Sequence, residues 1–276
     1  MAREPTVTGS RPATHAERTQ QTGSGPLRFA RFAYPPNALG YCGTDDSLAL
    51  LGHADAGVAG PDLAHLARQF AGAWPYLELI AAASGRPDPL DSEVVEAYWL
   101  GNELLSRVDG RVFAAHLAAR FAHRAGPGLA DLATLALLGA VPHHNFHVLA
   151  VYPWVGLLRA GATAEEPLRV LNACRIRWGR VLAVHAGLAE VAVRPLVWDG
   201  RSLHLGAVRV EAVTYADARG RLVPDVRVGD AVALHWDWLC DVLSARQARA
   251  LRGYTERILR MTNEALARPV AATVLD

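Results

Sequence analysis

The feature that most constrains this chain is a change of hydrophobic period part-way along it. From residue 45 to about 160, apolar residues recur at steps of three and four. After residue 174 the spacing shortens toward alternation, and valine and isoleucine become frequent. The first spacing lays an apolar stripe along a helix, and the second lays an apolar face on a strand. Helices first and strands after predict an α+β fold: an N-terminal α-helical bundle, then a small β-barrel with a C-terminal helix. The expected organisation is a tail over 1–26, a helical domain over 27–160, a linker over 161–173 and a barrel with its helix over 174–268.

Punctuation along the chain refines this. Leu63, Leu66, Ala67, Phe70, Ala71 and Trp74 share one helical face after Pro61, which suits a first turn. Asp91 caps a following helix that Gly101 interrupts, and further helices are predicted over 110–123, 128–139 and 145–159. The stretch Arg31–Gly43 holds Pro35, Pro36, Gly40 and Gly43, which predicts an ordered aromatic loop folded on the core. In the second half, Asp199-Gly200 reads as a hairpin turn and Ala218–Gly220 as another. Asp230–Trp236 alternates as a strand, and Ser244 caps an amphipathic helix running to about Ala267.

Composition removes several chemistries. The 28 basic residues nearly cancel the 27 acidic ones, leaving a formal charge of +1 and no global attraction to nucleic acid or anionic lipid. All the bases are arginine. Without lysine there is no Schiff-base site and no phosphate loop ending in Gly-Lys. The longest apolar run, Val148–Leu158, is too short to span a membrane and contains Pro153. The 3 cysteines, Cys42, Cys174 and Cys240, are widely spaced and form no disulfide framework, so a cytoplasmic, reducing location is expected.

Two groups of residues carry candidate ligand chemistry. Cys174 stands just before the first strand and His235 ends the last alternating one. In a small closed barrel those two points can lie side by side, where a thiolate and an imidazole suit a transition metal such as low-valent iron. The plainer alternative makes Cys174 a small buried hydrophobe and His235 an edge residue. The second group is Val141–His147. A helix beginning after Pro142 puts His143 and His147 on one face as a two-histidine metal site and turns His144 away. Glu78, Glu96 and Glu103 are the candidate carboxylate partners, and capping or core bonding by these histidines is the structural alternative. Arg175, Arg177 and Arg180 either depress the Cys174 thiol, pair with an anionic partner or line a solvated strand face. Cys240 reads as inert.

The order Cys174-x-x-x-x-Gly179-x-Val181, then Pro224-Asp-Val-x-Val-Gly229-Asp230-x-Val-x-x-His235, then the helix from Leu243, resembles the HypC/HupF family of [NiFe]-hydrogenase maturation chaperones. The resemblance covers residues 174–260. It implies an OB-like barrel that carries an iron bearing cyanide and carbon monoxide and hands it to the hydrogenase large-subunit precursor, alongside other maturation proteins. On that resemblance Cys174 carries the iron and touches the precursor, His235 is the second contact, and Gly179 and Gly229 are structural. In this chain the cysteine is internal, Trp178 replaces the usual proline, and Trp236-Asp237-Trp238 follows the histidine. The expected function is therefore a metallochaperone more than a catalyst, with no nucleic-acid or membrane partner. The alternative is an iron-dependent enzyme using His143, His147 and a glutamate for small-molecule or diatomic-ligand chemistry.

Overall fold

The computed structural model describes residues 24–121, 127–159 and 164–268; the predicted tail lies almost wholly outside them. Helices come first: α1 (Gly25–Ala38), α2 (Ser47–Ala56), α3 (Leu63–Arg68), α4 (Trp74–Ser84), α5 (Ser92–Trp99), α6 (Gly110–Phe121) and α7 (Pro127–Leu137). A short α8 (His144–Phe146) runs into a π turn (His147–Val151), followed by α9 (Trp154–Arg159) and α10 (Glu165–Cys174).

Two differences from the sequence reading have a common cause in proline. The expected loop from Arg31 is instead the second half of α1, a helix buried continuously from Leu27 to Asn37. Pro35 and Pro36 fall near its C-terminal end, where a missing N–H removes a bond but leaves little helix beyond to kink. The chain then leaves through a turn over 39–43, with Gly40 at φ 75° and Gly43 at φ 101°. The single helix expected through Trp74 is two, because Pro75 cannot sit in a helix interior and opens α4 at its first turn. The expected linker is largely α10, whose Pro167, Val170, Leu171 and Cys174 are buried.

The strands are β1 (Arg177–Val184), β2 (Leu188–Val193), β5 (Arg209–Thr214), β8 (Ala231–His235) and β9 (Trp238–Val242), with hairpins β3 (Leu196–Trp198) with β4 (Leu203–Leu205) and β6 (Ala216–Asp217) with β7 (Gly220–Arg221). The order β1-β2-β5-β9-β8 closes because β8 returns to β1, pairing Leu234 with Arg177 and Val232 with Gly179. Gly179 sits where a Cβ would strike Val191 and the Ala192 carbonyl, so the two strands approach over a position only glycine fits. Asp230 accepts from the Arg227 N–H at 2.9 Å and braces the turn that Gly229 makes at φ 90°. The C-terminal helix α11 (Ala245–Ala267) opens with a reciprocal capping box between Ser244 and Gln247.

One apolar core runs without interruption from α1, α4 and α5 into the closed sheet and α11. The change at 161–173 is thus a change of element type rather than a gap in packing. A buried ionic network ties the halves together. Asp241 on β9 accepts from Arg28 Nε at 2.9 Å and Arg31 at 3.4 Å, both on α1. Glu96 on α5 takes Arg28 at 3.5 Å and also Arg246 and Gln247 of α11, each at 2.6 Å. Among the described residues no helix is long and apolar enough to cross a membrane.

Candidate metal centre

Cys174, His235 and His144 converge where the helices meet the sheet. One ligand atom from each lies within 4.8 Å of the others, and all three side chains are buried. Three local features place them. Cys174 is the last residue of α10, beside the start of β1. His235 ends β8, before the tight turn that pairs it with Trp238. His144 opens the short α8, beneath the capping residue His143.

The defect that the two prolines leave in α1 is used here. Pro36 has no N–H to give the Phe32 carbonyl one turn back, and that carbonyl accepts from His235 Nδ1 at 2.6 Å. A carbonyl only accepts, so the proton of the neutral ring is on Nδ1 and the lone pair is on Nε2. Among the described residues, the buried Nε2 has no hydrogen-bond partner. A ring fixed at one nitrogen by a backbone carbonyl, with the other bare, is the arrangement found for histidines that bind metals. His144 is held from both sides. Its Nε2 bonds the Cys174 carbonyl at 2.9 Å, a helix-end acceptor with no intrahelical donor. Its Nδ1 lies 3.2 Å from the Tyr98 hydroxyl, which also reaches the Gly72 carbonyl at 3.1 Å. Freeing either nitrogen for a ligand costs about 1 kcal/mol of hydrogen bonding.

Burial sets the charges. It lowers His144 to about 4, with the Cys174 carbonyl opposing, and it takes His235 well below the ordinary imidazole range. Both rings are neutral at physiological pH, the form that binds a metal. Burial also pushes the Cys174 thiol far up, the Cys42 thiol adds to this, and the Trp236 side chain works against it. The thiol is therefore protonated on its own and becomes a thiolate only when a cation compensates it. The flanking arginines do not reverse this. Arg175 is itself lowered to about 9 by burial and then by Arg177, and it donates to Asn172 and the Arg194 carbonyl. Arg177 pairs with Glu211, and the exposed Arg180 donates to the Gly229 carbonyl at 3.1 Å.

The cluster opens on an aromatic cavity of about 270 Å³ lined by Cys42, Tyr98, Trp99, His147, Tyr152 and Trp236 among others. A more polar pocket of about 600 Å³, with Gln69 and Arg120, shares the wall at Tyr41, Cys42, Gly72, His147 and Tyr152 and leads outward. The turn after His235 holds Trp236 at φ 53°, a left-handed conformation unusual for a side chain of this size, and sets its ring 4.3 Å from Tyr41.

The structure separates the sequence-derived residues. Cys174 and His235 come together; His143 and His147 do not form the expected pair. His143 is not on a helix but caps one, with extended backbone at φ −105° and ψ 144° and its Nδ1 accepting from the Asn145 N–H at 3.0 Å. Its ring stacks on Tyr254 at 5.6 Å, away from the cavity. His147 begins the π turn, reaches the cavity wall and bonds the Tyr76 hydroxyl at 3.0 Å through Nδ1. The carboxylates expected beside them are elsewhere: Glu78 accepts from Trp74, Glu96 belongs to the ionic network, and Glu103 is exposed. His144, turned outward in the helical-wheel reading, is the residue that reasoning missed. No preferred cap residue stands at position 143, so nothing in the sequence signalled that the helix starts one position later. Cys240 is buried in β9, its thiol 3.6 Å from the Trp238 carbonyl.

A family model described as a family of unknown function, DUF6390, matches residues 21–269. The chain belongs to that family. The match takes in the helices, the closed sheet and α11 together, and with them all three residues of the cluster. No curated protein and no solved structure matches the chain.

Proposed function

We propose that this member of the DUF6390 family is a metal-carrying accessory protein whose cargo ion is held by Cys174, His235 and His144. The observation that carries this reading is the convergence of one sulfur and two imidazoles around a bare, buried His235 Nε2. One soft and two borderline donors, with no oxygen ligand, favour a late or low-valent transition ion over magnesium or calcium. Iron is the cargo we assign, because the Cys174–Val181 and Pro224–His235 patterns resemble HypC/HupF chaperones; the closed sheet is then the OB-like barrel of that family. In this reading the protein accepts an iron-cyanide/carbonyl group from other maturation proteins in the cytoplasm and docks on the large-subunit precursor of a [NiFe]-hydrogenase.

The helical half serves the carrier by supplying His144, by fixing the His235 tautomer through Phe32, and by walling the cargo from water. Because Cys174 is only 7% exposed, transfer requires the Tyr41–Trp236 cover to part. Anaerobically purified protein co-expressed with a hydrogenase maturation system is expected to contain one iron per chain, to show infrared bands of bound carbonyl and cyanide, and to capture the precursor. Cys174→Ala and His235→Ala are expected to lose all three. Wild-type protein without iron, bands or precursor overturns the carrier reading. A second reading, iron-dependent chemistry on a small molecule, draws on the cavity beside the cluster; it calls for turnover without any captured precursor.

A further inference from the structure

The turn that follows α1 brings a second sulfur to the same cavity, and what it does rests on the metal reading above. Cys42 lines the cavity with Cys174 and His235, carries no disulfide and is partly buried. Burial pushes its thiol up to about 12. It is near enough to Cys174 to raise that thiol's cost of ionisation. Its backbone is pinned rather than its side chain: Asn37 Nδ2 donates to the Cys42 carbonyl at 2.8 Å and to the Thr44 carbonyl at 2.6 Å.

Charge argues for using both sulfurs. The residues lining the cavity include no aspartate or glutamate. A bare divalent ion, without cyanide, on one thiolate and two neutral imidazoles would leave a net positive charge in an aromatic, desolvated cavity, where an uncompensated charge is costly. A second thiolate brings the set to neutrality, and only Cys42 among the lining residues can provide one. The buried, unpartnered Nε2 of His235 is an independent sign that the cavity is built for a ligand.

We propose that Cys42 is the fourth ligand, closing a Cys2His2 set of Cys42, Cys174, His144 and His235 around a four-coordinate divalent ion in the state that carries no cyanide or carbonyl. The Cys42 sulfur lies outside the 4.8 Å cluster of the other three, so the unpinned Cys42 side chain swings inward as the metal loads. Gly40 at φ 75° and Gly43 at φ 101° form the turn that presents this side chain to the cavity. Each thiol gives its proton to solvent as its metal–sulfur bond forms. Tyr41 immediately precedes Cys42 and Trp236 immediately follows His235, so the fourth bond would lock shut the contact those rings already make.

Zinc(II), which takes the same tetrahedral sulfur and nitrogen sites and has no redox chemistry, is the probe. X-ray absorption on the full chain loaded with one equivalent of zinc is expected to show two sulfur and two nitrogen neighbours. Cys42→Ser is expected to show one sulfur and to bind zinc at least about tenfold more weakly in a chelator competition. In the wild-type protein, zinc should also protect Cys42 from alkylation. One sulfur in wild type, or a third nitrogen such as His147 in place of the second sulfur, overturns the assignment of Cys42 and leaves the three-residue centre standing. No zinc bound at all overturns both. The wild-type sulfur count decides the matter even where the serine variant folds poorly.

Discussion

Asp241→Asn tests whether the two halves of the chain are one cooperative unit. The carboxylate is fully buried, 2.9 Å from Arg28 and 3.4 Å from Arg31, and both guanidinium groups are themselves buried. At those separations and an effective dielectric near 20, the pairwise attractions are about 6 and about 5 kcal/mol before desolvation is counted. Asparagine keeps the shape and one acceptor but strands positive charge between α1 and β9, while Arg28 retains Glu96. Breaking a buried pair from one side typically costs about 3–5 kcal/mol, so we expect that loss in urea unfolding followed by circular dichroism. For a chain of this size it corresponds to a fall in Tm on the order of 10 °C. Helical and sheet signals should shift together, because one core joins them. The triple variant Arg28→Met, Arg31→Met, Asp241→Leu should recover much of the loss by removing the stranded charges as well. An asparagine variant within about 1 kcal/mol of wild type, or separate helical and sheet transitions, would refute the reasoning.

Other expectations follow from single positions. Gly179→Ala drives a methyl group into Val191 and the Ala192 carbonyl and should destabilise by about 1–3 kcal/mol in the same urea assay. Ser244→Ala removes the capping box of α11 and should cost about 1 kcal/mol, read as a lower urea midpoint with unchanged slope. Asp199 accepts backbone N–H bonds from Ser202 and Arg201, which hold its carboxyl down to about 2. Its folded value is lowered, so its contribution to the β3–β4 turn is present above the ordinary carboxylate range and fades as pH falls toward 2. An NMR titration of its side chain should show that midpoint, and a value near 4 would contradict it.

The sequence disclosed the fold by period and the site by half. Alternation after residue 174, the Asp199-Gly200 turn and the Ser244 cap all have local causes, and the closed sheet and α11 appear where those signals stand. Cys174 and His235 were recognisable as a pair because strand ends in a small closed sheet are neighbours. His144 was not, since an ideal helical period was assumed through a stretch that is a cap, a single α turn and a π turn in succession. The Arg31–Gly43 stretch was misread for a related reason. Proline forbids a helix interior, yet at the end of α1 its missing N–H became the opening that His235 fills. In each case tertiary partners overrode a local rule, and in each case the exception lies at the centre.

The order in which the donors occur along the chain has a consequence for biosynthesis. Phe32, His144, Cys174 and His235 are contributed by widely separated segments, and His235 emerges from the ribosome after the other three. A nascent chain on the ribosome offers scattered thiols and imidazoles but no pre-shaped pocket, so under the proposed reading it would not trap an ion early. On the proposed metal reading, capture would wait until α1, α8, α10 and β8 have packed together, and a loaded protein would be by that fact a folded one.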